Sequence, residues 1–133
     1  MQFSKNIAVT SILSPLQLVA AAPEVTTRDL ATTGDLTHYD VGLGACGWTN
    51  SDSELVVALG APRFDPQTPN GNPNNNPLCG RMIKVNYGGK SVTAKVVDRC
   101  QACLFDDLDL SPAAFQALAD LGLGRISGTW GFV

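Results

Sequence analysis

"RMIKVNYGGKSVTAKVVD", residues 81–98, reads as a β-hairpin. Met82 and Lys84 alternate with Ile83 and Val85, the period of two that sends successive side chains to opposite faces of a strand. Gly88-Gly89 supplies the turn, since positive φ costs glycine little. The return strand sets Val92, Ala94 and Val96 on one face and Thr93, Lys95 and Val97 on the other. Upstream, "GDLTHYD" (34–40) is a short strand with Leu36 and His38 opposite Thr37 and Tyr39, and "VGLGACGWTN" (41–50) is glycine-rich and turns tightly. "SELVVALG" (53–60) fits a strand or one helical turn, and Val56-Val57 tilts it toward strand. "TPNGNPNNNPL" (68–78) is a loop.

Downstream, "SPAAFQALAD" (111–120) predicts the one clear helix. Ser111 is its N-cap, Pro112 sits at N1, Phe115, Leu118 and Ala119 form the apolar stripe, and Gly122 or Gly124 ends it. "RISGTWGFV" (125–133) is a last strand, with Gly128 read as a bulge. Short strands, glycine turns and a single late helix predict a mainly β domain, and a closed barrel over a sandwich because closure removes exposed strand edges.

The first 21 residues form a secretory signal pattern, with Lys5 before an apolar stretch and Val19-x-Ala21 at a cleavage site. Residues 22–33 lack hydrophobic periodicity and read as a flexible leader, which leaves 34–133 as the folded domain and a secreted, extracellular protein. The whole chain carries 9 Lys+Arg against 12 Asp+Glu, net −3, without any block of basic residues. That balance argues against nucleic acid and anionic membrane surfaces and is compatible with a neutral polymer. A monomer is the expectation. The four cysteines, Cys46, Cys79, Cys100 and Cys103, read as two disulfides with three possible pairings. A zinc site would normally show two CxxC pairs, and a thioredoxin-type CxxC would sit in a βαβ setting.

"GACGW", "NPLCG", "VVDRC", "DLDLSPAAF" and "GTWGF" occur here in the order seen in RlpA-like double-psi β-barrels. The chain resembles that family over about residues 34–133, and within it the fungal loosenins and single-domain, barwin-like relatives of expansins. The resemblance implies a six-stranded double-psi barrel with one or two short helices. It implies a Cys46–Cys79 bridge, with Cys100–Cys103 as the second. It also implies a groove that binds cellulose, chitin or another cell-wall glucan and loosens it without hydrolysis, with no metal and no organic cofactor.

Asp98 matches the family's functional strand-end aspartate and is the candidate catalytic residue. Independently, a carboxylate after the apolar Val96-Val97 is expected to be partly desolvated, which moves it toward proton donation; the plain alternative pairs it with Arg99 or has it cap the next turn. Asp109 matches the aspartate of the family's "DLS" and Thr37 a groove threonine. Asp40 lies near where related endoglucanases place a base, and Tyr39 and Trp48 are candidate stacking surfaces for sugar rings. Asp106 and Asp107 read as solvated loop charges and Trp130 as core. RlpA transglycosylases carry a histidine before their "LPFG"-like turn; here that region is "NPNNNPLCG", and the one histidine, His38, is expected to be packed or surface-exposed rather than catalytic. Two other readings stay open: a protein-binding barrel such as a cysteine-protease inhibitor or host-surface effector, and a weak glycosidase using Asp98 with a second carboxylate.

Overall fold

The computed structural model describes residues 31–133. The signal sequence and the leader up to residue 30 lie outside the described residues. Six strands close into a barrel in the order β1-β5-β2-β4-β3-β6. They are β1 Thr32–His38, β2 Val56–Gly60, β3 Met82–Tyr87, β4 Lys90–Cys100, β5 Leu108–Leu110 and β6 Arg125–Phe132. β1 pairs with β5 and β2 with β4 in parallel; the other four pairings are antiparallel. β1 begins two residues before the expected domain start, because Thr32 and Thr33 pair with Trp130 and Thr129 of β6.

Alternation fills the interior. Leu36, Val57, Leu59, Ile83, Val85, Val92, Ala94, Val96, Leu108 and Leu110 belong to one buried cluster, with Trp130 among them. Two short helices, α1 Ala61–Phe64 and α2 Pro112–Gln116, lie between strands and each adds a fully buried phenylalanine, Phe64 and Phe115. The α2 N-cap is as the sequence predicts: Ser111 Oγ accepts from Ala114 N at 3.2 Å, with Pro112 next. The helix is shorter than predicted. Leu118 N and Ala119 N both bond to Phe115 O, which tightens the chain into a turn. A 3₁₀ turn at Leu121–Leu123 and Gly124, at φ 68°, then lead into β6.

Gly128 is not a bulge. The β1–β6 register runs unbroken through Gly34–Gly128, and a Cβ on Gly128 would lie 2.5 Å from Asn86 O and 2.8 Å from a Leu36 methyl. The glycine is there for close approach. The irregularity lies instead between β2 and β4, where Val57 pairs with Val96 but Ala58 pairs with Asp98, leaving Val97 as the extra residue.

Both disulfides follow the pairing that the resemblance implies. Cys46–Cys79 ties the glycine loop to the loop before β3, and Cys100–Cys103 closes the turn after β4. No helix among the described residues is long and apolar enough to cross a membrane.

Candidate functional site

The bulge at Val97 decides where Asp98 points. Val92, Ala94 and Val96 face the core, so unbroken alternation would turn Asp98 inward with them. One extra residue reverses the phase. Val97 is buried under the glycine loop, where Cys46 N donates to Val97 O at 3.2 Å, and Asp98 comes out on the barrel's outer face.

There it joins a row. Asp98 of β4 pairs with Ala58 of β2, Ala58 with Asp109 of β5, Asp109 with Thr37 of β1, and Thr37 with Arg125 of β6. Register partners share a face, so these residues line one band across five neighbouring strands. Ala58 is its low point, a methyl between two carboxylates. Two strand spacings set the Asp98 and Asp109 Cα atoms about 9.6 Å apart. A recess of about 200 Å³ opens beside Thr37, Asp109 and Arg125, walled by His38, Asp107 and the Cys100–Cys103 disulfide.

The glycine loop holds Asp98. Its Oδ1 accepts Ala45 N and Arg99 N, each at 2.8 Å. A Cβ at Gly44 would drive into Val97 O and lie 3.2 Å from the Asp98 side chain, so only glycine lets the loop come this close. The Arg99 side chain turns away, and its guanidinium forks onto Asp65 at 2.8 and 2.7 Å. Asp98 is therefore oriented by backbone and free of a cationic side-chain partner among the described residues.

Asp109 is half-buried. Thr37 Oγ1 donates to its Oδ1 at 2.8 Å. Burial raises its pKa, the Thr37 hydrogen bond and the charges of His38 and Arg125 oppose it, and the charge of Asp98 adds a small further push upward. Asp109 is thus a carboxyl of the row that burial inclines to keep its proton.

Tyr39 is partly buried. Its hydroxyl is buried and closes no hydrogen bond of sound geometry, although it lies beside Asp98. Burial, then the charges of Asp98 and Asp109, hold its proton on far above the ordinary phenol range. It is a donor without an acceptor at the edge of the row. Trp48 is 42% exposed, with Lys95 Nζ over its ring 5.3 Å from the centroid. Asp40 is exposed and makes no hydrogen bond or ion pair with the described residues, so no contact ties it to the row.

His38 is packed, as expected: its ring lies edge-on to Phe115 at 4.8 Å, and Nε2 donates to Leu121 O at 3.1 Å. Asp106 and Asp107 are not free loop charges. Asp106 pairs with Arg63 at 2.6 Å, and Asp107 accepts Asp35 N and Leu104 N, each at 3.0 Å. Cys100 Sγ, Cys103 Sγ and an Asp109 oxygen lie within 4.8 Å of one another, but the sulfurs are bonded together and offer no thiolate to a metal.

Sequence reasoning missed Ala58, Gly44 and Arg125. The signal for the bulge was present in Val96-Val97-Asp98, where two apolar residues in succession break the alternation just before the carboxylate.

A family model for the double-psi β-barrel, described as lytic transglycolase, matches residues 63–130. The chain belongs to that family. Among double-psi barrels it is 44% identical over 105 residues to a papain inhibitor of Streptomyces mobaraensis, covering 76% of this chain and 71% of the relative. It is 41% identical to the allergen Asp f 7 of Aspergillus fumigatus but spans only 36% of that protein. The solved Streptomyces papain inhibitor superposes with a TM-score of 0.70 at 41% identity, covering 77% of this chain and 94% of that one. An aspartate-to-asparagine variant of Clavibacter michiganensis expansin, solved in complex with cellohexaose, superposes with a TM-score of 0.65 at 27% identity, covering 77% of this chain and half of that one.

Proposed function

We propose that this is a secreted barrel that binds an extended neutral polysaccharide, cellulose or chitin, along the Asp98–Ala58–Asp109–Thr37 band and loosens its packing without cleaving it. The observation that carries this reading is the alignment of those four residues in one register row, which depends on the extra residue at Val97. The row supplies two carboxylates as acceptors, a hydroxyl and a low floor, a set suited to sugar hydroxyls. The expansin relative solved with cellohexaose supports the ligand class. Trp48, partly exposed, offers an aromatic surface for a sugar ring. Hydrolysis fits less well, since it needs a carboxyl pair both placed and divided into acid and base, and Asp98 is pinned by two backbone N–H groups.

The test is fibre weakening on cellulose and chitin, with analysis of soluble products. The wild-type chain is expected to weaken fibres and release no oligosaccharide. Asp98→Asn is expected to melt at the same temperature and lose the weakening. Undiminished activity in that variant, or release of sugars by the wild type, overturns the reading.

A second reading has its own observation, the papain inhibitor that matches 76% of this chain at 44% identity. On that reading the barrel is a protein-binding module that inhibits a papain-like cysteine protease and does not need Asp98. Residual papain activity against a small chromogenic peptide separates the two.

A further inference from the structure

Leu104 and Phe105 are 71% and 51% exposed, yet the backbone beneath them is tied down on every side. The Cys100–Cys103 disulfide closes the segment's start. Gly60 and Gly34 let the chain press onto the barrel, since a Cβ at either would drive into the carbonyl of Leu104 or of Asp106. The Asp107 carboxylate takes the N–H of Leu104 and of Asp35, each at 3.0 Å. Trp130 Nε1 donates to Asp106 O at 2.9 Å. Arg63 donates to Phe105 O at 3.1 Å, pairs with Asp106 and lies 4.2 Å over the Phe105 ring.

Holding an apolar pair out in water costs free energy, and fixing it there costs conformational entropy as well. Within the barrel Phe105 gains the Arg63 contact on its ring, while half of its surface and most of Leu104 stay in water. The arrangement is favourable when a partner covers the pair, because side chains already ordered lose little on binding. A rigid aromatic beside an arginine is also the composition of binding hot spots. Asp106 and Asp107 are both engaged internally, so the tip offers apolar surface without free charge. A relative of this chain is a papain inhibitor, and an exposed apolar pair fits a concave apolar pocket such as a protease cleft rather than the flat face of a polymer crystal.

We propose that Leu104–Phe105 is the tip by which this barrel enters the substrate cleft of a papain-like cysteine protease. This rests on the protein-binding reading and adds the surface that performs it.

The test compares papain inhibition by the wild-type chain, by Leu104→Ala combined with Phe105→Ala, by Leu104→Ala alone, and by Leu123→Ala. Leu123 is a control of the same chemistry, 57% exposed on the 3₁₀ turn before β6. Loss of two hot-spot side chains is expected to raise the inhibition constant at least about 30-fold at unchanged melting temperature, while Leu123→Ala stays within about twofold. Should the double variant not fold, the single variant is read in its place, with a rise of about fivefold expected. Inhibition by the tip variants equal to wild type overturns the tip and leaves the protease reading standing. Failure of the wild-type chain to inhibit papain removes both.

Discussion

Asp109 and Tyr39 are the two groups in the groove whose burial works against them. For Asp109 the folded-state pKa lies above the ordinary 3.8, with burial the largest cause. A raised acid favours its protonated form in the fold. Its stability contribution is therefore complete below pH 3.8 and is lost as pH rises through the raised value. Asp109→Asn keeps an acceptor for Thr37 without the charge. It is expected to melt with the wild type at pH 3 and higher by about 1–3 °C at pH 7, a modest gap because the site is only half-buried. Equal melting at both pH values in a thermal scan would remove burial strain from the account. Tyr39→Phe takes away a buried hydroxyl that has no partner. Stability should hold or rise by up to about 1 kcal/mol, since no internal hydrogen bond is lost. Cellohexaose affinity, read by calorimetry, should stay within about twofold, because a hydroxyl closed off from solvent does not reach a ligand. A loss of stability would mean that the phenol hydrogen-bonds to Asp98 in the fold. The sequence placed Tyr39 near the candidate site but not the burial of its hydroxyl, which is set by residues distant in the chain such as Asp98 and Asp109.

At the scale of elements, the two disulfides do unequal work. Cys46–Cys79 spans a sequence separation of 33 and Cys100–Cys103 one of 3. Loop-closure entropy then assigns the first about 4 kcal/mol and the second about 2. Replacing the first pair by serine is expected to lower the midpoint of urea unfolding about twice as far as replacing the second, at equal slope. The reverse order would mean that the short bridge acts through the native state, by holding the Leu104–Phe105 turn against the barrel. The hairpin of β3 and β4 and the Ser111 cap were legible because each is fixed by neighbours in sequence. The length of α2 was not, since Phe115 O takes two N–H groups as the chain turns toward β6. Nor was the purpose of Gly128, which is set by Asn86 and Leu36 from other strands. A lone glycine in a strand signals either a bulge or a close approach, and only the partner distinguishes them.

At the scale of the molecule, the barrel brings two carboxylates from strands that are not neighbours onto one face of a chain whose net charge is already −3. No spacing rule in the sequence yields that, because Asp98 and Asp109 meet across β2 through one parallel and one antiparallel pairing. The single cation in the row, Arg125, pairs with Asp35 at 3.0 Å and offsets Asp109 only in part. The potential over the groove is therefore negative. A neutral chain pays no electrostatic penalty on entering it and gains hydrogen bonds at short range, where salt screens little. A polyanion is repelled before contact, over a distance set by the Debye length of about 10 Å at 0.1 M salt and about 3 Å at 1 M. Binding of cellohexaose is expected to change by less than about twofold between 0.05 and 0.5 M sodium chloride. Binding of a polyuronate of the same length should be weaker by at least about tenfold at low salt and recover part of that difference as salt is added. Calorimetry with both oligomers at the two salt concentrations reads this directly. A polyuronate that binds more tightly at low salt would place the binding surface away from the Asp98–Asp109 row.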